Sequence, residues 1–343
     1  MLNFKNKWHY SLTFSFSIFV FSFSNFALIQ NVYGEKLNLK LNLEKEKNLL
    51  DEAKTHFEPL PPKLIDEVAN AKLIELGKSL FNEKALSKSG TISCQSCHML
   101  ENFGVDNLPT SPGHSGIKGN RNSPSVYNAA LQFAQFWDGR AENVEEQALG
   151  PLLNPIEHGL KDEQEALKIL SELGYQTKFK EAFPKEEHFF TFKNLGRSIG
   201  AFEKTLLTPS RFDDYLRGDY QALSQAEKKG MKRFIDIGCV TCHSGVGVGG
   251  GMFQKLGLME EYKPNTDKGR SLITKNPDDD YFFKVASLRN VEKTAPYFHD
   301  GSLKNLEAVI PIMAKFQLGE KVSAADIQDI KLFLKSLTAK KLP

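Results

Sequence analysis

Apolar positions recur at helical spacing along most of this chain, and sustained strict alternation is absent. Residues 35–56 are charged and amphipathic, with Leu49, Leu50, Ala53 and Phe57 on one face, and Pro59, Pro61 and Pro62 end the segment. It reads as a solvated arm. Residues 64–81 then offer Ile65, Val68, Ala71, Leu73, Leu76 and Leu80 to one side of an amphipathic helix. Further helices are predicted at 141–149, 161–173, 192–207, 224–237 and 324–337, the last with Ile327, Ile330, Leu334 and Leu337 in register. Between them, 102–128 is rich in Gly, Pro, Ser and Asn and reads as a long loop, of the kind that usually carries function. A glycine run from Gly245 to Gly251 is too poor in side chains to pack, and suits backbone that skirts a bound group. The fold class is mainly α, with long loops and little strand.

The N-terminus departs from this pattern. Lys5 and Lys7 precede an apolar, serine-rich stretch from Ser11 to Leu28, no acidic residue comes before Glu35, and Val32 and Gly34 are small enough for a signal peptidase. That is the layout of a secretory signal peptide spanning 1–34 and cleaved near Gly34, which places the mature chain in the periplasm. An uncleaved anchor is the competing reading, weakened by the serines. Without Lys5 and Lys7 the 44 basic residues fall level with the 42 acidic ones, so no net charge calls for a nucleic-acid partner. Length suggests two domains: 343 residues against a norm of about 150 per domain. Thr208-Pro209-Ser210 marks the break, giving an N-terminal arm at 35–58 and domains at 59–208 and 209–343.

The chemistry lies in the cysteines. There are four, and all fall into two C-x-x-C-H motifs, Cys94-Gln95-Ser96-Cys97-His98 and Cys239-Val240-Thr241-Cys242-His243. This pattern attaches c-type haem: each sulfur forms a thioether to a vinyl group, and the adjacent imidazole becomes the proximal iron ligand. The motifs predict two covalent haem c groups, on two cytochrome c-like domains, and leave no cysteine for a disulfide. The sixth iron position then decides what each haem does. His9 leaves with the signal peptide, while His56 and His188 sit among charges and are expected at the surface. His114 lies in the glycine-rich loop after the first motif, where a mobile segment could bring an imidazole to the iron and release it. Met313, in an apolar stretch of the second half, could supply a thioether opposite His243; Met252 and Met259 are nearer in sequence and compete for that role.

Several stretches together resemble the bacterial dihaem cytochrome c peroxidases, the family that also contains the MauG-type enzymes. They are residues 76–81, the first haem motif, 119–125, Phe136-Trp137-Asp138-Gly139-Arg140-Ala141, 145–148, Asn154-Pro155-Ile156-Glu157, the second motif, 287–291, and 294–302. They run in order from about Phe57 to Thr338. The resemblance implies that His114 is the distal histidine of a peroxidatic haem, Glu157 the catalytic carboxylate and Gln147 a pocket amide. It also implies that Trp137 lies between the haems, that Met313 ligates the electron-transferring haem, and that Asn122, Thr294 and Pro296 surround a calcium ion. Hydrogen peroxide is the implied substrate, a small c-type cytochrome or copper protein the electron donor, and a homodimer the assembly. On this reading electrons pass from the second haem by Trp137 to the first, with release of His114 as an activation step in many relatives. A carboxylate beside an open iron face suits the reaction, because it can carry a proton from one peroxide oxygen to the other.

One position departs from the expected pattern. Residue 158 is His where the family is expected to carry Met beside the glutamate, which adds a titratable ring to the pocket. Two other functions compete with the peroxidase: a MauG-like enzyme that oxidises a partner protein, and a dihaem electron carrier without catalysis. MauG-type enzymes have tyrosine for the methionine ligand and lack the distal histidine, so Met313 and His114 argue against the first. Glu157 and Gln147 would be idle in the second.

Overall fold

A computed structural model describes residues 17–263 and 266–343 of the chain, with side chains from 36 onward. The predicted signal peptide therefore lies outside the described residues except for backbone from Ser17, and its cleavage site is not described. No helix among the described residues is long and apolar enough to cross a membrane. Two compact units are present, Met1–Asp51 and Glu52–Pro343. The first consists of most of helix α1 (Ser17–His56), on which Leu37, Leu39, Leu41 and Leu43 are exposed.

The second unit is built from α2 (Ala71–Phe81), α3 (Glu163–Glu172), α4 (Tyr175–Ala182), α5 (Phe192–Glu203), α6 (Arg211–Leu216), α7 (Gln225–Asp236), α8 (Leu306–Met313) and α9 (Ala324–Ser336). Its only sheet among the described residues is antiparallel, β1 (Phe253–Lys255) on β2 (Phe282–Lys284), with Gln254 opposite Phe283. The mainly α expectation holds. Four predicted helices are seen nearly in place as α3, α5, α7 and α9, and local chemistry sets their starts. Asp162, Thr191, Ser224 and Ser323 each accept a hydrogen bond from a backbone N–H of the first turn, satisfying donors that have no partner inside the helix. The stretch predicted as a helix at 141–149 is instead two single turns, Val144–Gln147 and Gly150–Leu153.

Two expectations are corrected. The helix predicted from 64 begins only at Ala71, and Val68 is 90% exposed. The Asp66 carboxylate accepts from the N–H groups of Val68 and Ala69, each at 3.2 Å, and this local turn displaces the helical bonds those donors would make. The arm is also less solvated than its charge suggests. Ala53 and Phe57 are buried, and the Phe57 ring packs edge-on against Phe212 at 5.3 Å and lies 6.0 Å from Phe333.

The two halves of this unit repeat one plan. The helix preceding each haem motif crosses the last helix of its half at a glycine, α2 over α5 at Gly77 and α7 over α9 at Gly230. A Cβ at Gly77 would stand 1.8 Å from the Ser198 carbonyl oxygen, and one at Gly230 would stand 1.9 Å from that of Asp329, so neither crossing admits a side chain. A second shared device follows each motif. Asn128 and Asn290 adopt left-handed backbone (φ 60° and 62°) and start a short 3-10 turn. At equal offsets beyond them Phe136 and Phe298 (φ 65° and 71°) and Gly139 and Gly301 (φ 69° and 64°) are left-handed too. Isolated bridges Gln135–Ala141 and Tyr297–Leu303 close the two turns. Trp137 and His299 thus occupy equivalent places. Both asparagines donate from Nδ2 to the Thr208 hydroxyl, at 2.6 and 2.9 Å.

A buried ion pair anchors the second half. Arg289 donates to both Asp213 carboxylate oxygens at 3.0 Å, and both side chains are fully buried. Asp213 also accepts from the N–H groups of Leu60 and Ser210 at 2.7 Å and from the Ser210 hydroxyl at 2.8 Å. Burial works against the charge, but Arg289 and these donors outweigh it and hold the Asp213 carboxyl below the usual range.

Candidate haem and peroxide sites

Both C-x-x-C segments fold as a single helical turn, Cys94–Cys97 as α and Cys239–Thr241 as 3-10. A capping box at Ser93 and Ser96 starts the first. All four thiols are free. Burial pushes Cys94 and Cys239 up to about 12 and Cys97 to about 11. The Nδ1 atoms of His98 and His243 are buried without a hydrogen-bond partner. Burial lowers the pKa of both rings, His243 to about 4, which keeps the imidazoles neutral and fit to bind a metal.

Behind the second motif opens a deep cavity lined by Cys239, Cys242, His243, Met313, Trp137 and His299 among others. Met313, from the last turn of α8, therefore shares a cavity with His243, whereas Met252 and Met259 are not among its lining residues. The remaining wall is largely apolar, with Phe234, Ile237, Leu288, Leu306, Ile310 and Leu334. The donors of this chamber fit a porphyrin: Cys239 and Cys242 could attach it, and the His243 imidazole and Met313 thioether could ligate its iron. Gly249 lets the chain pass close to His243: a Cβ there would lie 2.2 Å from the Ala286 carbonyl oxygen and 3.0 Å from His243 Nδ1, at a φ of 122°.

Around the first motif, the turn 154–159 brings the predicted peroxide residues together. The His114 N–H donates to the Glu157 carbonyl at 2.8 Å, and the His114 ring lies against Gly159, where a Cβ would come within 2.5 Å of Nε2. The Glu157 carboxylate is close enough to Cys94 and Cys97 to act on both electrostatically. Burial raises the Glu157 pKa, opposed by the charge of Arg140 and by Asn154 Nδ2, which donates to Oε1 at 2.8 Å. Arg140 itself stacks over the Phe136 ring and binds Asp138. Gln147 ends the turn Val144–Gln147 and is half-buried. The His98 ring, whose Nδ1 is buried without a partner, and the two free thiols fit a second porphyrin here.

His158 is buried, and Nδ1 lies 2.7 Å from the Leu86 carbonyl, while the His158 carbonyl accepts from the Lys88 N–H at 2.8 Å. Burial lowers its pKa, and His98 and His114 act in the same direction. The ring is thus a neutral tie between the Glu157 turn and residues 86–88. His188 is exposed as expected, and His56 is half-buried.

Trp137 lines the second cavity and contacts residues of both halves. Its Nε1 donates to the Asn122 carbonyl at 2.9 Å, its carbonyl accepts from the Lys284 N–H at 2.7 Å, and its ring meets His299 edge-on at 6.4 Å. Asn122, Thr294 and Pro296 line the same cavity. Asn122 Nδ2 donates to the Leu108 carbonyl at 2.9 Å. Among the described residues no group of three or more His, Cys, Asp or Glu could hold a metal. The calcium candidates would offer amide and carbonyl oxygens instead.

Two features escaped the sequence. Arg121 joins the halves, donating to Asp138 at 2.5 Å and to both oxygens of Asp267 at 2.6 and 2.9 Å. Lys284 is buried in the cavity wall, with burial pulling its ammonium down to about 7. Arg121 falls in the 119–125 stretch, but nothing in that stretch names Asp267 as its partner, and Lys284 falls in no motif at all.

Two haem-binding halves with a histidine and a glutamate brought together beside the first define a dihaem peroxidase. The family model for di-haem cytochrome c peroxidase matches residues 71–221, and the chain belongs to that family. Cytochrome c551 peroxidase of Pseudomonas aeruginosa is 42% identical, over 85% of this chain and 87% of its own. The protein of that name from Nitrosomonas europaea is 43% identical, over 82% and 84%. Among solved structures, a MauG-like protein associated with microbial copper homeostasis superposes with a TM-score of 0.70 at 30% identity, covering 82% of this chain and 94% of that one.

Proposed function

We propose that this protein reduces hydrogen peroxide to two waters with two electrons from a small redox protein, and that the two halves divide the work. The observation that carries the reading is the turn 154–159, which sets Glu157 and His114 side by side next to the first pair of cysteines. Bound at both motifs, haem c supplies the iron at which the O–O bond is broken and the store for the electrons. Cys94, Cys97 and His98 would hold the first haem, and Cys239, Cys242, His243 and Met313 the second. Glu157 takes a proton from one peroxide oxygen and returns it to the departing one, and burial raises its pKa, which strengthens it as the acceptor. Gln147 orients the peroxide. His114 covers the site at rest and leaves it on activation. Trp137, in contact with both halves, carries electrons between them.

The peroxidatic half is assigned to 59–208 and the electron-transfer half to 209–343. Calcium held by the Asn122 side chain and the carbonyls of Thr294 and Pro296 would fix their relative orientation. The donor is assigned as a small c-type cytochrome or copper protein, the compartment as the periplasm after cleavage near Gly34, and the assembly as a homodimer. The peroxidase reading is favoured over a protein-oxidising one by Met313 in the cavity with His243 and by His114 beside Glu157. The test is a steady-state assay with hydrogen peroxide and a reduced small cytochrome, comparing wild type with Glu157→Gln. Loss of at least a hundredfold in kcat is expected for removal of a general acid–base, on the order of 10²–10⁴. Equal rates would sink the mechanism.

A further inference from the structure

We propose that Lys284 is the anion-binding residue of the second cavity, its ammonium pairing with a carboxylate of the porphyrin attached at Cys239 and Cys242 and thereby raising the potential of that iron. The cavity is lined by two basic side chains, Lys284 and Arg289, and by no aspartate or glutamate. A porphyrin carries two carboxylates, so the wall has the sign its ligand requires. Arg289 is already committed: both Asp213 oxygens and the Val246 carbonyl, at 2.6 Å, take its donors. Lys284 is not. It is 6% exposed, and among the described residues its Nζ bonds only the amide oxygen of Gln132. The carboxylate that acts on it from a distance, Asp138, is held by Arg121 at 2.5 Å and Arg140 at 3.0 Å.

An ammonium buried against a neutral amide is costly unless an anion joins it. The depressed pKa shows that cost in the protein alone. Position supports the pairing. Lys284 ends β2, opposite Phe253, and the next residue of β1, Gln254, lies in the cavity wall within hydrogen-bonding reach of Cys242. Its own N–H holds the Trp137 carbonyl, so the cation stands where the second haem meets the proposed electron path. A fixed positive charge beside an iron favours the reduced state, because that state carries one less positive charge.

This inference rests on haem attachment at the second motif and not on peroxide turnover, so its readout is separate from that of Glu157→Gln. The experiment is an optical redox titration of the holoprotein, resolving both haems, for wild type, Lys284→Met, Lys284→Arg and Gln132→Glu. Lys284→Met is expected to disfavour reduction of the second haem by about tenfold, a shift of ~59 mV to lower potential for one electron. Lys284→Arg keeps the charge and the wild-type potential. Gln132→Glu leaves the lysine in place but neutralises it, and moves the potential the same way as Lys284→Met. If Lys284→Met fails to fold, Gln132→Glu decides alone. An unchanged second-haem potential in Gln132→Glu, or in a folded Lys284→Met, overturns the proposal.

Discussion

Removing the side chain of Asn154 should move the acid limb of the peroxidase pH profile upward. Its Nδ2 donates to Glu157 Oε1 at 2.8 Å, a hydrogen bond to the charged form of the carboxyl. Burial already raises the Glu157 pKa, and this bond, with Arg140, pulls it back. A hydrogen bond to an ionised group contributes about 1.5–3 kcal/mol. One pKa unit corresponds to about 1.36 kcal/mol, so losing the bond raises the pKa by roughly 1–2 units. The sign follows from the mechanism. Glu157 must be ionised to accept the first proton, so kcat/KM falls on the acid side as it protonates. In Asn154→Ala that fall begins about 1–2 pH units higher. Asn154 Oδ1 also accepts from the Ile156 N–H at 2.9 Å, and alanine loses that turn contact as well. Asn154→Asp keeps an acceptor for Ile156 and puts a like charge beside Glu157, so its limb should move further in the same direction with the turn intact. The measurement is kcat/KM for hydrogen peroxide across the pH range, with the donor saturating and the haems in their active redox state. An acid limb that stays in place in both variants would refute the assignment of Glu157 as the base.

Other substitutions check the remaining parts. Gly249→Ala should displace His243 and so disturb haem attachment in the second half, because its Cβ meets Ala286 and His243, and the pyridine haemochrome assay should then fall from two haems per chain towards one. Met313→Ala should lower the potential of one haem while Met252→Ala and Met259→Ala leave it unchanged, since only Met313 lines the cavity with His243. Arg289→Met leaves Asp213 charged and buried, and should cost about 3–5 kcal/mol in denaturant unfolding; a loss under about 1 kcal/mol would show that the pair is solvated.

The haem motifs were legible because attachment is local: two cysteines and a histidine at fixed spacing declare it without reference to the fold. The helices α5, α7 and α9 were legible because periodicity and capping residues agree. The start of α2 was not, since the Asp66 turn competes through side-chain hydrogen bonds that periodicity ignores. Glu157, Gln147 and Trp137 came only from the likeness of ordered motifs to a family, whereas His114 and Met313 were also candidates from their surroundings. Nothing in the spacing from His114 to Glu157 says that backbone hydrogen bonding joins them. Lys284 and Arg121 were illegible for the same reason. Their importance lies in distant partners, Gln132 for one and Asp267 for the other. Burial of Phe57 was misjudged because a charged neighbourhood says little about the one face turned inward.

The paired turns at Asn128 and Asn290 carry a consequence for how the two sites differ. One backbone template, with its left-handed residues at matching offsets, is used twice and tied at one hydroxyl. Gene duplication followed by divergence produces such a pattern. The template fixed where an aromatic ring is presented and left its identity open, so one copy holds an indole and the other an imidazole. In the proposed division of labour, one backbone frame would then serve both halves, and the difference between them would lie in the side chains that it carries.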